Sequence, residues 1–430
     1  MPNPRPYIKN FTDLVRAALP ETAQGKPLEI WFQMLWSRAP WIVTASLMPK
    51  EPIMRTIDTT ADTTVFIALE LSRATWLVAV RLPGVEKLIF HRMEAGDTAA
   101  LLAFVAVHRA RAEARLGASA TVASCFEAGP DGFWLHRFLV ANGIENVIVE
   151  PTSILISRRA RRAKTDRLDA QGLLRVLMAR HRGDQEICSV LRVPTPEEED
   201  AKRPHRERER LVQERIRIEN RIEALLLTQG VRKRPSLRRW DAEMDSLQTA
   251  DGRPMPPLLR AEIDRLKRRL TLTTELIREI EAERSAMLAT AHSDDASRKI
   301  AALSRIRGVG DNFAAVLTRE VFYRHFDNRR QLASYVGIAP TPHQSGAMDR
   351  KRGIGRAGNA RARTTLIQLA WLWLRYQPAS GLAAWFRERV GVLAGRSRCI
   401  AIVAMARKLL VALWRYVETG VLPEGMEFKA

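Results

Sequence analysis

The chain has 430 residues, 46% of them hydrophobic, enough for two or three domains with real cores and too apolar for a disordered tail. Its 69 Lys and Arg against 48 Asp and Glu leave a net charge of +21 spread along most of the sequence, so a polyanionic partner is the leading expectation and a merely basic soluble enzyme the alternative. No run approaches the ~18 apolar residues of a membrane span, no signal peptide opens the chain, and Cys125, Cys188 and Cys399 lack zinc-site or disulfide spacing; a soluble protein of the reducing cytoplasm is expected.

Residues 1–60 are expected to be an appended segment. Pro2, Pro4, Pro6, Pro20 and Pro27 punctuate it, and the Trp-rich stretch Trp31 to Trp41 has no steady period. Within it, Gly25 to Gln33 is similar to a strand of the mariner-like DDE transposases of insertion sequence 630, and Met54 is the expected natural start.

Regular structure begins near Thr64. A strand from Val65 to Leu71, a turn at Ser72-Arg73 and a second strand from Thr75 to Leu82 read as a hairpin. Asp97 caps a helix running to about Arg115, followed by a strand from Thr121 to Phe126, a helix from Phe133 to Ala141 and a strand from Asn146 to Glu150. The result is an α/β domain over residues 61–190, with Glu70 and Glu127 each at the C-terminal end of an apolar strand.

Arg158, Arg159, Arg161, Arg162 and Lys164 then form a basic run that reads either as a solvated face or as a phosphate-backbone contact. Directly behind it, Asp166 and Asp169 lie three residues apart at the start of an amphipathic helix. The pair admits two readings: a helix N-cap at Asp166 with a dipole-favoured acid behind it, or carboxylates on one face holding a metal. Glu70, Glu127, Asp166 and Asp169 together suit a pair of magnesium ions, which stabilise the attacking and leaving oxygens of a phosphodiester.

Residues 195–292 read as charged and helical, opened by Pro194, Pro196 and the acidic run Glu197 to Asp200. Ile263, Leu266, Leu270, Thr273, Ile277, Ile280 and Met287 follow steps of three and four, apart from Arg284 in the stripe, and the breakers between Asp251 and Pro257 separate two helical arms. An intramolecular hairpin and an intermolecular coiled coil both fit this period.

A third region, residues 297–425, carries Gly308 and Gly310 before a helix from Phe313, a pattern shared by half of a helix-hairpin-helix DNA-binding element and by a plain helix-helix turn. Further on, Ser345 lies in a Gln344-Ser345-Gly346 turn, followed by Arg350, Lys351, Arg352, Arg356 and Arg363; a serine beside such cations suits attack on phosphorus, and a simple turn is the alternative. His343, close in sequence to Ser345, reads as a solvent-exposed loop histidine, with a general base for Ser345 as the alternative.

Taken together, Phe66 to Val80, Phe126 to Gly129, Lys164 to Ala170 and Arg305 to Arg363 resemble the DEDD transposases of insertion sequence 110, related to the Piv-type invertases. The resemblance implies an RNase H-like, RuvC-like catalytic domain, a helical coiled-coil linker and a mostly α C-terminal transposase domain. It further implies Glu70, Glu127, Asp166 and Asp169 as magnesium ligands and Ser345 as the nucleophile of a 5′-phosphoserine link. Implied partners are donor and target DNA, a structured noncoding guide RNA and further copies of the chain, as dimer or tetramer, in a bacterial cytoplasm, nucleoid-associated when active. The family's first acid is usually Asp, where this chain has Glu70. A site-specific invertase, a metal-only junction nuclease and an inactive nucleic-acid-binding remnant are the alternatives.

Overall fold

The computed structural model describes residues 63–129, 131–154, 165–290, 294–345, 348–391 and 395–429. The expected appended segment 1–60 lies outside the described residues, apart from which the order of elements begins as the sequence predicts. Strands β1 (Thr64–Leu71), β2 (Thr75–Arg81) and β3 (Ile89–Glu94) are followed by helix α1 (Thr98–Leu116), β4 (Thr121–Glu127), α2 (Trp134–Ala141) and β5 (Glu145–Val149). The sheet has the order β3-β2-β1-β4-β5, with β1, β4 and β5 parallel and β2 antiparallel to both its neighbours. β3 extends the expected hairpin to three strands; its residues are mostly exposed or half-buried, as an edge strand allows.

Alternation along the strands sends Val65, Ile67 and Leu69 into one core, with α1 and α2, and Phe66 and Ala68 into another. The second core is closed by α3 (Asp166–His181), through Ala170, Leu173, Leu174 and Leu177. The fold is therefore an α/β layer with helices on both faces of a mixed sheet.

Next come α4 (Pro196–Asp200), α5 (Arg203–Leu227), the short α6 (Trp240–Asp245) and α7 (Pro257–Thr290). Thr195 and Glu198 close a capping box on α4, the role expected of this acidic run. Ion pairs Arg208 to Glu281, Glu214 to Arg269 and Arg221 to Glu262 descend one helix while ascending the other, so α5 and α7 pack antiparallel within the chain. Ile263 and Leu270 of the predicted stripe meet Ile218, Ile222 and Leu226.

The remainder is mostly helical: α8 (Asp295–Ser304), α9 (Asp311–Leu317) continued by a π-helical turn (Thr318–Phe322), α10 (Arg329–Val336), α11 (Ala360–Tyr376), α12 (Gly381–Val390) and α13 (Arg396–Thr419). Leu366, Leu369 and Trp373 of α11 face Leu409, Leu410 and Leu413 of α13 across its core. Between α10 and α11 the chain makes a two-stranded hairpin, β6 (Pro340–Ser345) and β7 (Met348–Ile354), where a turn was expected. No helix among the described residues is long and apolar enough to cross a membrane.

Candidate active site

The last paired residues of β1 and β4 are Leu69 and Phe126, so the next pair in parallel register is Glu70 and Glu127. Each shares strand parity with residues of the α3-facing core, Phe66 and Ala68 in β1, Ala123 and Cys125 in β4. The two carboxylates thus leave adjacent strands on one face of the sheet. Both residues are half-buried, and Glu70 Oε2 is shielded from solvent. A carboxylate held there is strongly disposed toward cationic company.

α3 runs antiparallel to these strands. His181, its last residue, lies 3.3 Å from Thr64 Oγ1 and 5.0 Å, ring to ring, from Phe66, both near the start of β1. Cys125 Sγ approaches the Leu173 carbonyl at 3.5 Å, midway along the helix. The opposite end of α3 therefore points to the strand ends that carry Glu70 and Glu127. Its cap is Thr165, whose hydroxyl accepts from the Leu168 N–H, so the N-cap expected at Asp166 moves one residue earlier. Asp166 and Asp169 occupy the first turn, Asp166 exposed and Asp169 half-buried.

A fifth group, Arg92, completes the row. On β3 it pairs with Leu77, which pairs with Glu70, so Glu127, Glu70, Leu77 and Arg92 lie side by side across the sheet. Arg92 Nη2 reaches Asp166 Oδ2 at 3.4 Å. With both side chains more than 60% exposed, this pair is readily exchanged for another cation. The sequence signal for Arg92 was absent because β3 itself was not foreseen.

All four acids are hard oxygen donors, the chemistry of a divalent magnesium-like ion rather than a soft metal. Among the described residues, however, no three His, Cys, Asp or Glu side chains already form a metal-holding group. The fold brings the four acids to one end of one layer, with Glu70 and Glu127 on adjacent strands and Asp166 and Asp169 on the first turn of α3.

The other expected site residues are distributed as follows. Arg158, Arg159, Arg161, Arg162 and Lys164 lie outside the described residues, as does Gly346. Ser345 is the last residue of β6, and His343, expected in a loop, belongs to the same strand. The side chains of His343, Ser345, Arg350, Lys351 and Arg352 fall outside the description. Gly308 has φ +88 and a Cβ there would meet Tyr376 Cβ at 2.7 Å, so packing already demands glycine; Gly310 is the N-cap of α9, with open space around it. Arg356 is exposed, in the left-handed region at φ 56. Arg363 Nη1 donates to the carbonyls of Val336, at 3.2 Å, and Arg356, at 2.9 Å, across the base of the hairpin.

Residues 85–229 match a transposase family model of the IS110 DEDD type, which includes Glu127, Asp166 and Asp169, while Glu70 precedes the matched stretch. Residues 300–383, which include Ser345, match the model described as Transposase IS116/IS110/IS902 family. A Sinorhizobium fredii protein with the provisional name transposase y4rJ is 48% identical over 397 residues, covering 90% of this chain and 100% of that one. The transposase for insertion sequence element IS1111A of Coxiella burnetii is 26% identical over 66% of this chain and 74% of its own length. That for IS1328 of Yersinia enterocolitica is 28% identical over 55% and 70% respectively.

Proposed function

Because this chain belongs to the IS116/IS110/IS902 family of insertion-sequence transposases, we propose that it cuts and rejoins DNA with an acidic centre of Glu70, Glu127, Asp166 and Asp169 and a serine nucleophile, Ser345. It is a DNA transposase, and its DEDD domain implies dependence on a divalent metal. The observation that supports the acidic centre is the parallel register of Glu70 and Glu127 on adjacent strand ends, at the end of the layer toward which the first turn of α3, with Asp166 and Asp169, points. The sheet order, with its antiparallel β3-β2-β1 meander beside parallel β4 and β5, also supports an RNase H-like, RuvC-type fold.

In this reading Ser345 Oγ attacks the scissile phosphorus and gives up its proton as the new P–O bond forms. The P–O3′ bond breaks, leaving a free 3′ hydroxyl on one side and a 5′-phosphoserine on the other. Attack by the 3′ hydroxyl of the exchanged strand reverses the step and returns the serine proton, so no ATP is required. Two magnesium ions held by the four carboxylates would supply stabilisation of charge on the attacking and leaving oxygens. Arg356 and the basic strand β7 contact the phosphate backbone, together with the run Arg158 to Lys164. Base pairing by a structured noncoding guide RNA selects donor and target DNA, and the chain acts as a dimer or tetramer.

The metal part is tested by titrating Mn2+ into the protein and following its electron paramagnetic resonance signal. Asp169→Asn and Glu127→Gln are each expected to weaken Mn2+ binding by about tenfold or more while leaving DNA affinity within about twofold. Unchanged Mn2+ binding in both variants would exclude these carboxylates as metal ligands.

A further inference from the structure

Outside the acidic centre, the strongest concentration of buried polar chemistry surrounds Glu320, a residue only 2% exposed. Its carboxylate is reached from two directions. From the start of α5, His205 Nε2 lies 2.9 Å from Oε1, and Arg206 donates through Nε at 2.7 Å and Nη2 at 3.0 Å. From the start of α11, Asn359 Nδ2 donates at 3.1 Å and Arg361 Nη1 at 3.5 Å, while Arg361 Nε is itself paired with Glu209 of α5.

Glu320 lies in the π-helical turn, and its backbone carbonyl is used as well, accepting from Tyr335 Oη at 3.1 Å and from Asn359 Nδ2 at 3.4 Å. π-turns widen a helix locally and recur where a side chain must be aimed for function. Burial opposes ionisation of this carboxyl, but hydrogen bonds from His205 and Arg206 outweigh it and hold it well below the ordinary carboxylate range. Beside the network opens a cavity of about 330 Å³, lined by Arg206, Glu209, Glu320, Asn359, Arg361 and Thr364.

Tyr335 and Asn359 are the two sides of the stem of the β6–β7 hairpin. The Asn359 N–H donates to the Tyr335 carbonyl at 2.8 Å, Gly355 N–H to Ala339 at 3.0 Å and Arg356 N–H to Gly337 at 3.2 Å. The stem has no slack: a Cβ on Gly337 would meet Ala357 O at 2.0 Å, and one on Gly358 would meet Tyr335 O at 2.2 Å. Glu320 therefore touches both sides of the stem and, through His205 and Arg206, the first turn of the long arm α5.

We propose that Glu320 is a positioning residue for DNA strand exchange: its carboxylate fixes the stem of the β6–β7 hairpin to the base of the α5–α7 arm. Replacing buried ion pairs by apolar contacts is often neutral for stability, so fixed geometry, more than stability, is what this arrangement provides. A guanidinium fork and an amide meeting one carboxylate admit a single arrangement of the two segments. In its chemical consequence the proposal rests on Ser345, the last residue of β6, being the nucleophile.

The test uses the full chain with its guide RNA and a duplex of the element's own end. Glu320→Gln removes the charge and keeps the shape; Arg206→Lys, at a partly exposed position, keeps the charge and loses the fork. Both are expected to accelerate hydrogen exchange at Gly355, Arg356 and Asn359 by about tenfold or more. At saturating DNA, the rate of covalent protein–DNA adduct formation should fall by about 10²-fold in Glu320→Gln, with DNA affinity within about twofold. Unchanged exchange at the stem overturns the proposal, as does faster exchange with an unchanged adduct rate. If the wild-type protein forms no Ser345-dependent adduct, the nucleophile reading fails, and hydrogen exchange alone then decides whether Glu320 holds the stem.

Discussion

Glu70 leaves β1 on the face where Phe66 and Ala68 are buried, and its longer side chain carries the carboxylate about one methylene farther than the aspartate usual in the family. Glu70→Ala should abolish metal-dependent DNA cleavage and Glu70→Asp retain it, measured on one labelled duplex; an Ala variant that cleaves normally would exclude Glu70 as a ligand. At the base of the β6–β7 hairpin, Arg356 adopts φ 56, a conformation that costs a non-glycine residue on the order of 1 kcal/mol. Arg356→Gly is therefore expected to raise folding stability by up to about 1 kcal/mol while weakening nucleic-acid binding, read by denaturant titration and by filter binding. A variant that loses stability would show that the guanidinium, not the backbone, sets the energetics there.

Among the elements, β1, β2, β4, β5, α1 and α2 were legible in the sequence because each carries its own apolar period and its own punctuation. Asp97 does cap α1, accepting from the Ala100 N–H. β3 was not legible: Ile89-Phe90-His91-Arg92-Met93-Glu94 buries only Met93, so an edge strand leaves little pattern to read. The β6–β7 hairpin was hidden by Pro340, Pro342 and a run of cations, and the Glu320 network by distance, since its donors come from the segments 205–206 and 359–361. Of the candidate site, the four acids and their strand or helix ends were readable, whereas Arg92 required the sheet register.

The network also gives the helical region a pH signature. Burial pushes His205 below the ordinary histidine value, and its hydrogen bond to Glu320 only partly offsets this; the carboxyl of Glu320 is likewise held low. Both groups bind protons more readily in the unfolded chain, so stability falls as pH falls, beginning below about 6.5 for His205 and steepening below about 4.3 for Glu320. Thermal unfolding between about pH 8 and about pH 2.5 should show this decline, and Glu320→Gln should flatten the limb below about pH 4.3, where the carboxyl of Glu320 takes up its proton. An acid limb identical in the variant would contradict the assignment.

For the whole molecule, a net charge of +21 and a layered α/β unit joined to helical regions suit an enzyme that holds long stretches of nucleic acid. A polar seam also crosses the elements. Arg137 of α2 pairs with Glu199 of α4 at 2.6 Å, Lys202 lies 3.9 Å over the Tyr323 ring, and Arg206 of α5 meets Glu320. The seam ties the sheet that bears the acids to the helical region from which the hairpin springs. One transposition reaction is expected to draw on both the acidic centre and Ser345. Its most direct measurement is to co-express the protein with its own flanking noncoding region, add donor DNA and magnesium, and assay for a denaturant-stable protein–DNA adduct in the wild type, Ser345→Ala and Asp169→Asn. An adduct is expected in the wild type, none in Ser345→Ala and at least about a 10²-fold loss in Asp169→Asn. Cleavage without any adduct, equal in wild type and Ser345→Ala, would contradict it and leave a nuclease that works through its carboxylates alone.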